Sequence, residues 1–524
     1  MKRGCGLLVH ITSLPSKYGI GTFGSEAKKF VRFLNDANQK YWQILPLNPT
    51  SFGDSPYQSF SAFALNPYFI DLEELWKKGY ITKRDLNKLK AGENPSEVNY
   101  GLIYEERFNI LHKAFKKAYL LEEEKVLKFF DENKSWIEDY ALFMTIKKMH
   151  KGKEWLLWKR EYRLRNKKAL AKVKEDYKED FYFYVWMQYE AFLQYTKLRK
   201  YANNKGVKII GDMPIYVALD SADCWGNPSM FLLDKNRRPT KVAGVPPDCF
   251  SATGQLWGNP LYDYEKMKKD DYRWWKSRVN QMAKLYDVVR IDHFRGFVNY
   301  WAIPANETTA INGSWELGPG YDFFKALEKE TKKVQIIAED LGILTPDVFE
   351  LKDKLGFPGM KIMQFAFDDY RSHLEKNYSP ENLEKIQGRL NKHFYNEHEY
   401  KLALLMNQYL PHNYETNCVG YIGTHDNDIQ QNFIDEHQEL QQYMLDYLNL
   451  HRVEDINDTL IGSLMRSCAD VVIFMPQDIL HLGKETRINT PGTTFNNWKF
   501  RFVEGQLNDD LANHLKIMVG ESNR

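Results

Sequence analysis

Residues 181–212, FYFYVWMQYEAFLQYTKLRKYANNKGVKIIGD, read as one helix followed at once by one strand. Val185, Tyr189, Phe192 and Leu193 keep the i, i+4, i+7, i+8 spacing of a buried helix face, which predicts a helix over 181–203. The stripe weakens at Thr196, and Leu198 and Tyr201 lie off it. Asn203-Asn204-Lys205-Gly206 supplies a C-terminal stop. Val207-Lys208-Ile209-Ile210-Gly211-Asp212 then has the near-continuous apolar character of a strand buried on both faces. The stretch is an αβ unit.

Working outward, seven further runs have the same character: Gly6–His10, Tyr41–Pro46, Val288–Asp292, Val334–Glu339, Lys361–Phe365, Cys418–Gly423 and Val471–Pro476. Eight short buried strands, several preceded by amphipathic segments, predict an α/β fold, a (β/α)8 TIM barrel spanning 1–524. Two intervals are too long for a simple repeat. Residues 71–180, rich in Lys, Glu and Leu at helical spacing, predict a helical insertion after the second strand. Residues 213–275 contain Trp225-Gly226-Asn227-Pro228, Gly244-Val245-Pro246-Pro247 and Trp257-Gly258-Asn259-Pro260, and predict a long ordered loop insertion after the third. No internal repeat or low-complexity tract is evident.

Composition narrows the function. Of 524 residues, 72 are basic and 70 acidic, for a net charge of +2. That balance lacks the electrostatic footprint of a nucleic-acid binder. No stretch reaches the roughly 18–20 apolar residues of a membrane helix. Behind Met1-Lys2-Arg3 the apolar run Leu7-Leu8-Val9 stops at His10, so no secretion signal is read. Five cysteines without CxxC spacing form neither a disulfide framework nor a zinc signature, which suits a reducing cytoplasm. Aromatics, at 15% of the chain, are the unusual entry.

Active sites of such barrels lie at the C-terminal ends of the strands. Those ends offer Asp212, Asp292, Glu339, Asp426 and Asp478, with His10, His293 and His425. A single Asp at a strand end more often starts a turn or caps a helix; several on separate strands point to catalysis. Arg290 and Asp292, two apart on a strand, share a face. A neighbouring guanidinium lowers a carboxyl pKa and suits a nucleophile, although a structural ion pair reads the same way. Glu339 ends an apolar strand, where burial raises its pKa toward that of a general acid. Two carboxyls with opposed environments, about 5–5.5 Å apart, cleave glycosidic bonds with retention. His and carboxylates also ligate zinc, so a metal-dependent barrel hydrolase competes, but no HExxH occurs. A non-catalytic carbohydrate binder explains the aromatics and leaves the carboxylates without purpose. No GxxxxGK[ST] phosphate loop is present.

At these residues the sequence resembles the 4-α-glucanotransferases, the amylomaltase or disproportionating-enzyme group of glycoside hydrolase family 77, from Gly4 to about Phe502. The resemblance rests on ordered motifs. They are Ser13-Leu14-Pro15, Tyr18-Gly19-Ile20-Gly21, Gly53-Asp54-Ser55-Pro56-Tyr57-Gln58-Ser59 and Gly211-Asp212-Met213-Pro214-Ile215-Tyr216-Val217. Next come Gly244-Val245-Pro246-Pro247-Asp248, Arg290-Ile291-Asp292-His293-Phe294-Arg295-Gly296 and Ala338-Glu339-Asp340-Leu341-Gly342. Gly423-Thr424-His425-Asp426-Asn427 and Asn489-Thr490-Pro491-Gly492-Thr493 complete the set.

The resemblance implies Asp292 as nucleophile, Glu339 as general acid/base and Asp426 as a third carboxylate gripping the sugar in subsite −1. It places Tyr57, Asp212, Arg290 and His425 around that subsite, and Phe250, Gln255 and Trp257 on the acceptor side. It further implies α-1,4-glucans and maltooligosaccharides as donor and acceptor, no metal or other cofactor, no C-terminal β-sandwich, and a monomer or homodimer. An α-amylase-like hydrolase is the alternative. Cys249, Ser314 and Phe495 depart from the family pattern, where Tyr, Arg and a polar residue are expected; these touch acceptor contacts and leave the catalytic positions intact.

Overall fold

The computed structural model describes residues 1–247, 251–342, 344–367 and 407–524, with Phe52 described through its backbone alone. Eight strands form its centre: β1 (Gly4–Leu8), β2 (Tyr41–Gln43), β3 (Lys208–Met213), β4 (Val288–Ile291), β5 (Gln335–Ala338), β6 (Gly359–Ile362), β7 (Cys418–Tyr421) and β8 (Val471–Phe474). They run in the order β6-β7-β8-β1-β2-β3-β4-β5, each neighbouring pair parallel. The Ala338 amide donates to the Pro358 carbonyl at 2.9 Å, just ahead of β6, and draws β5 and β6 together to close the ring. This is the (β/α)8 barrel. Every residue of β1, β2, β4, β7 and β8 is buried, because helices cover the outside and side chains fill the inside.

Seven of the eight strands end one to three residues before the sequence reading has them end, and two of these also start earlier. β1 starts at Gly4 and ends before His10. β6 starts at Gly359 because the Met360 amide donates to Asp340 Oδ1 at 2.7 Å. A Cβ on Gly359 would stand 2.3 Å from Asp340 Oδ2, so only glycine admits that carboxylate. A Gly-Met start carries no β-branched signal, and the apolar run therefore reads as beginning too late.

The helix expected over 181–203 spans Lys178–Asn204 and stops at Gly206, whose φ of +77° is left-handed. Its burial is broader than one stripe. Val185 is buried, but Tyr189, Phe192 and Leu193 are only half-buried, while Gln188, Glu190 and Leu198 are fully enclosed. The helix is sandwiched between the Ser25–Asp36 helix and β3 on the barrel side and the helices Tyr100–Glu132 and Lys134–Met149 on the other. Two of its buried polar side chains are paired across that sandwich. Gln188 exchanges two 2.8 Å bonds with the Leu65 backbone, and Glu190 accepts from Lys78 Nζ at 2.7 and 2.8 Å.

Within 213–275, the composition that reads as loop hides regular structure. Strands Lys241–Val245 and Gln255–Pro260 join Asn299–Pro304 and Ser314–Leu317 in a four-stranded antiparallel sheet. The partner strands follow β4, so local composition gives no sign of the pairing. A short helix, Ala222–Gly226, packs on the Lys134–Met149 helix, so residues 71–180 brace the segment that leaves β3. No described helix is long and apolar enough to cross a membrane.

Removing the cation from the enclosed Glu190 leaves a buried carboxylate uncompensated. Lys78→Met is expected to lower stability by about 3 kcal/mol, measured by urea unfolding, with the barrel's circular dichroism retained.

Candidate active site

The C-terminal ends of β3, β4, β5 and β7 face a single cleft. Arg290, on β4, is 4% exposed and anchors it. Its Nη2 donates to Asp212 Oδ2 at 2.7 Å, to Asp292 Oδ1 at 2.9 Å and to the Tyr57 hydroxyl at 3.1 Å. The register places Asp212 of β3 directly beside Arg290, which is why one guanidinium reaches both carboxylates. Tyr57 in turn donates to Asp212 Oδ2 at 2.7 Å and lies 2.9 Å from His425 Nε2. Its ring stacks on His425, with centroids 5.4 Å apart.

His425 Nε2 also stands 3.2 Å from Asp426 Oδ2, and Asn489 Nδ2 donates to Asp426 Oδ1 at 2.6 Å. The turn bearing both residues is locked by Asn427, whose Oδ1 accepts from the Thr424 amide and hydroxyl, each at 2.9 Å. Across the cleft, His293 adopts φ 54° immediately after Asp292. That left-handed turn, less costly for His than for most residues, aims its amide at Glu339 Oε2, 2.5 Å away. Trp257 meets His293 edge-on at 4.9 Å, and its Nε1 donates to Gln255 Oε1 at 3.1 Å. The structure thus brings together Tyr57, Asp212, Arg290, Asp292, Glu339, His425 and Asp426, with Trp257 and Gln255 on the adjoining sheet. Phe250, like Cys249, lies outside the described residues. Ser314 is exposed on the edge strand of that sheet, and Phe495 is 82% exposed on the loop after Asn489.

The carboxyls ionise differently. Burial pushes Glu339 well above the ordinary carboxylate range, and the charge of Asp292 raises it further against Arg290 and the His293 amide. Asp292 is held at about 6. Burial in the cleft raises it, Arg290 opposes, and the charges of Asp212 and Asp426 add to the rise. The expectation that Arg290 sets a low Asp292 pKa is therefore corrected, since the guanidinium is shared with Asp212 and cannot offset burial alone. Asp426 goes the other way: desolvation in the cleft would raise it, although its side chain is nearly half exposed, but His425 and Asn489 outweigh that and hold it at about 2.

Other strand-end groups have structural duties. His10, pushed down to about 3 by burial and by His425, accepts the Leu45 amide on Nδ1 at 3.2 Å and packs edge-on against Phe69. Asp478 is fully buried and accepts the Gln430 amide at 2.8 Å. Among the described residues no group of three or more His, Cys, Asp or Glu is placed to hold a metal ion. Sequence reading misses Trp498, tilted against Tyr57 at 5.9 Å and His425 at 6.0 Å, because nothing local signals a contact across most of the chain. Asn489 lies in a distinctive motif, but its bond to Asp426 joins two loops and leaves no mark on the sequence.

A parallel (β/α)8 barrel whose strand ends gather a carboxyl pushed upward by burial and another beside a guanidinium has the arrangement that glycoside-processing enzymes use. The chain belongs to the 4-alpha-glucanotransferase family, glycoside hydrolase family 77, whose model matches residues 9–387 and 393–506. The 4-alpha-glucanotransferase of Clostridium butyricum is 44% identical over 510 residues, 97% of this chain and 98% of its own length. That of Thermus thermophilus is 40% identical over 100% of this chain and 99% of its own. Among solved structures, the amylomaltase of Streptococcus agalactiae in complex with acarbose matches with a TM-score of 0.90 at 38% identity, over 100% of both chains. Family membership makes this chain an enzyme that transfers segments of 1,4-α-D-glucan.

Removing Arg290 exposes how far the cleft depends on it. Arg290→Met is expected to cost about 3–5 kcal/mol in chemical denaturation, because Asp212 is left buried without its cation. Adding Asp212→Asn to that variant is expected to restore most of the loss.

Proposed function

We propose that Asp292 is the nucleophile of a retaining double displacement and Glu339 its general acid/base. Glu339 gives its proton to the glycosidic oxygen while Asp292 attacks the anomeric carbon, breaking the bond to the reducing-end fragment and forming a glycosyl-aspartate. Glu339, now anionic, takes the proton of the 4-hydroxyl of an incoming glucan or glucose. That oxygen displaces Asp292 and closes the new α-1,4 bond. Asp426 accepts hydroxyls of the sugar in subsite −1, with Tyr57, Asp212, Arg290 and His425 around it. Phe250, Gln255 and Trp257 receive the acceptor.

The observation that carries this reading is geometric: Arg290 donates to Asp292 Oδ1 at 2.9 Å, and Glu339, pushed upward by burial, stands at the end of the neighbouring paired strand. It involves no metal or cofactor. The organisation we infer is one catalytic barrel, 1–524, with a helical insertion at 71–180 and a further insertion at 213–275. We place the enzyme in the cytoplasm, as a monomer or homodimer acting on maltooligosaccharides as donor and acceptor.

Incubation with maltotriose separates transfer from hydrolysis. A ladder of longer maltodextrins plus glucose is expected, whereas glucose and maltose alone, with reducing ends rising in step, would make the chain a hydrolase. Asp292→Asn and Glu339→Gln are each expected to lower kcat by about 1,000-fold while the fold persists. The pH profile of kcat/KM follows from the pair. Asp292 must be anionic, so activity falls as pH drops through about 6. Glu339 must be protonated, so activity falls again at the higher pH at which it ionises. A flat profile from pH 5 to 9 would contradict the assignment.

A further inference from the structure

Arg487 belongs to none of the groups assigned above, yet it reaches the Asp426 turn from outside the barrel. It follows the short helical turn Lys484–Thr486 and has a side chain 26% exposed. Its Nη2 donates to the Asp426 carbonyl at 3.1 Å and its Nε to the Asn489 carbonyl at 2.9 Å. Its Nη1 stands 3.7 Å from Asp428 Oδ2, which also accepts from Asn432 Nδ2 at 2.6 Å. The same two loops are tied by the Asn489 amide, which donates to the His425 carbonyl at 3.1 Å, and by the Asn489 side chain on Asp426 Oδ1 at 2.6 Å.

The guanidinium therefore holds the backbone of the residue whose carboxylate faces the cleft, and also the backbone of the residue that donates to that carboxylate. A planar fork with several donors fixes both at once, where an ammonium offers a point charge without the fork. We propose that Arg487 is a positioning residue for the transfer reaction: it sets the direction of the Asp426 carboxylate by clamping residues 426–428 to Asn489, and touches no sugar itself. The inference rests on the role given to Asp426 above.

The test is a double-mutant cycle on maltotriose disproportionation, using Arg487→Met, Arg487→Lys, Asp426→Asn and the Arg487→Met/Asp426→Asn double variant, each checked for a native melting transition. Arg487→Met is expected to lower kcat about 100-fold, as a misplacement near 1 Å does, with KM for the donor little changed. Arg487→Lys is expected to recover only part of the loss. If Arg487 acts through Asp426, the double variant loses no more than Asp426→Asn alone. Additive losses would overturn the clamp, as would near-wild-type kcat in Arg487→Met. Near-wild-type activity in Asp426→Asn would instead overturn the role of Asp426, and the clamp's purpose with it.

Discussion

The active cleft depends on one shared cation. Arg290 is buried between Asp212, Asp292 and Tyr57, and all three reach the same terminal nitrogen. The adjacency of β3 and β4 makes this possible, because parallel register sets Asp212 opposite Arg290 and leaves Asp292 two residues further on the same face. A guanidinium in a poorly solvated site needs its charge balanced, and the two carboxylates need theirs. Each group is held in place by the others. Tyr57 extends the arrangement to His425, and His425 extends it to Asp426.

Sharing one cation also distributes the ionisation. Burial raises Asp292, Arg290 draws it down, and the charge of Asp212, which shares that nitrogen, adds to the rise, so Asp292 stays at about 6. Its charge then helps keep a proton on Glu339. Asp426, served by His425 and Asn489, remains ionised throughout. Three carboxyls in one cleft thus differ because their partners differ, the condition under which acid and base roles separate at a single pH.

Around this centre the insertions supply walls. The four-stranded sheet brings Trp257 against His293, the residue between Asp292 and the helical turn that follows it. Transfer to a sugar competes with water for the same intermediate, and apolar aromatic surface beside the reacting groups favours the sugar by excluding water. The Lys134–Met149 helix within 71–180 packs on the segment leaving β3. The aromatic fraction of the chain is divided accordingly, most of it filling the core and a smaller part facing the cleft.

The amino-acid sequence alone determined the eight strands, their parallel closure and the carboxylates at their ends, because strands buried on both faces leave continuous apolar runs and barrel chemistry sits at strand ends. Asp292, Glu339, Asp426, Arg290 and Asp212 were legible for that reason. The burial of the 178–204 helix was legible only in part, since a helix enclosed on two sides loses the one-sided stripe that marks a surface helix. Sheet pairing of 241–245 and 255–260 with strands beyond β4, the contact of Trp498 with Tyr57, the hold of Asn489 and Arg487 on Asp426, and the raised Asp292 carboxyl were decided by tertiary structure. Each joins residues far apart in the chain, and their spacing carries no trace of the distance that matters.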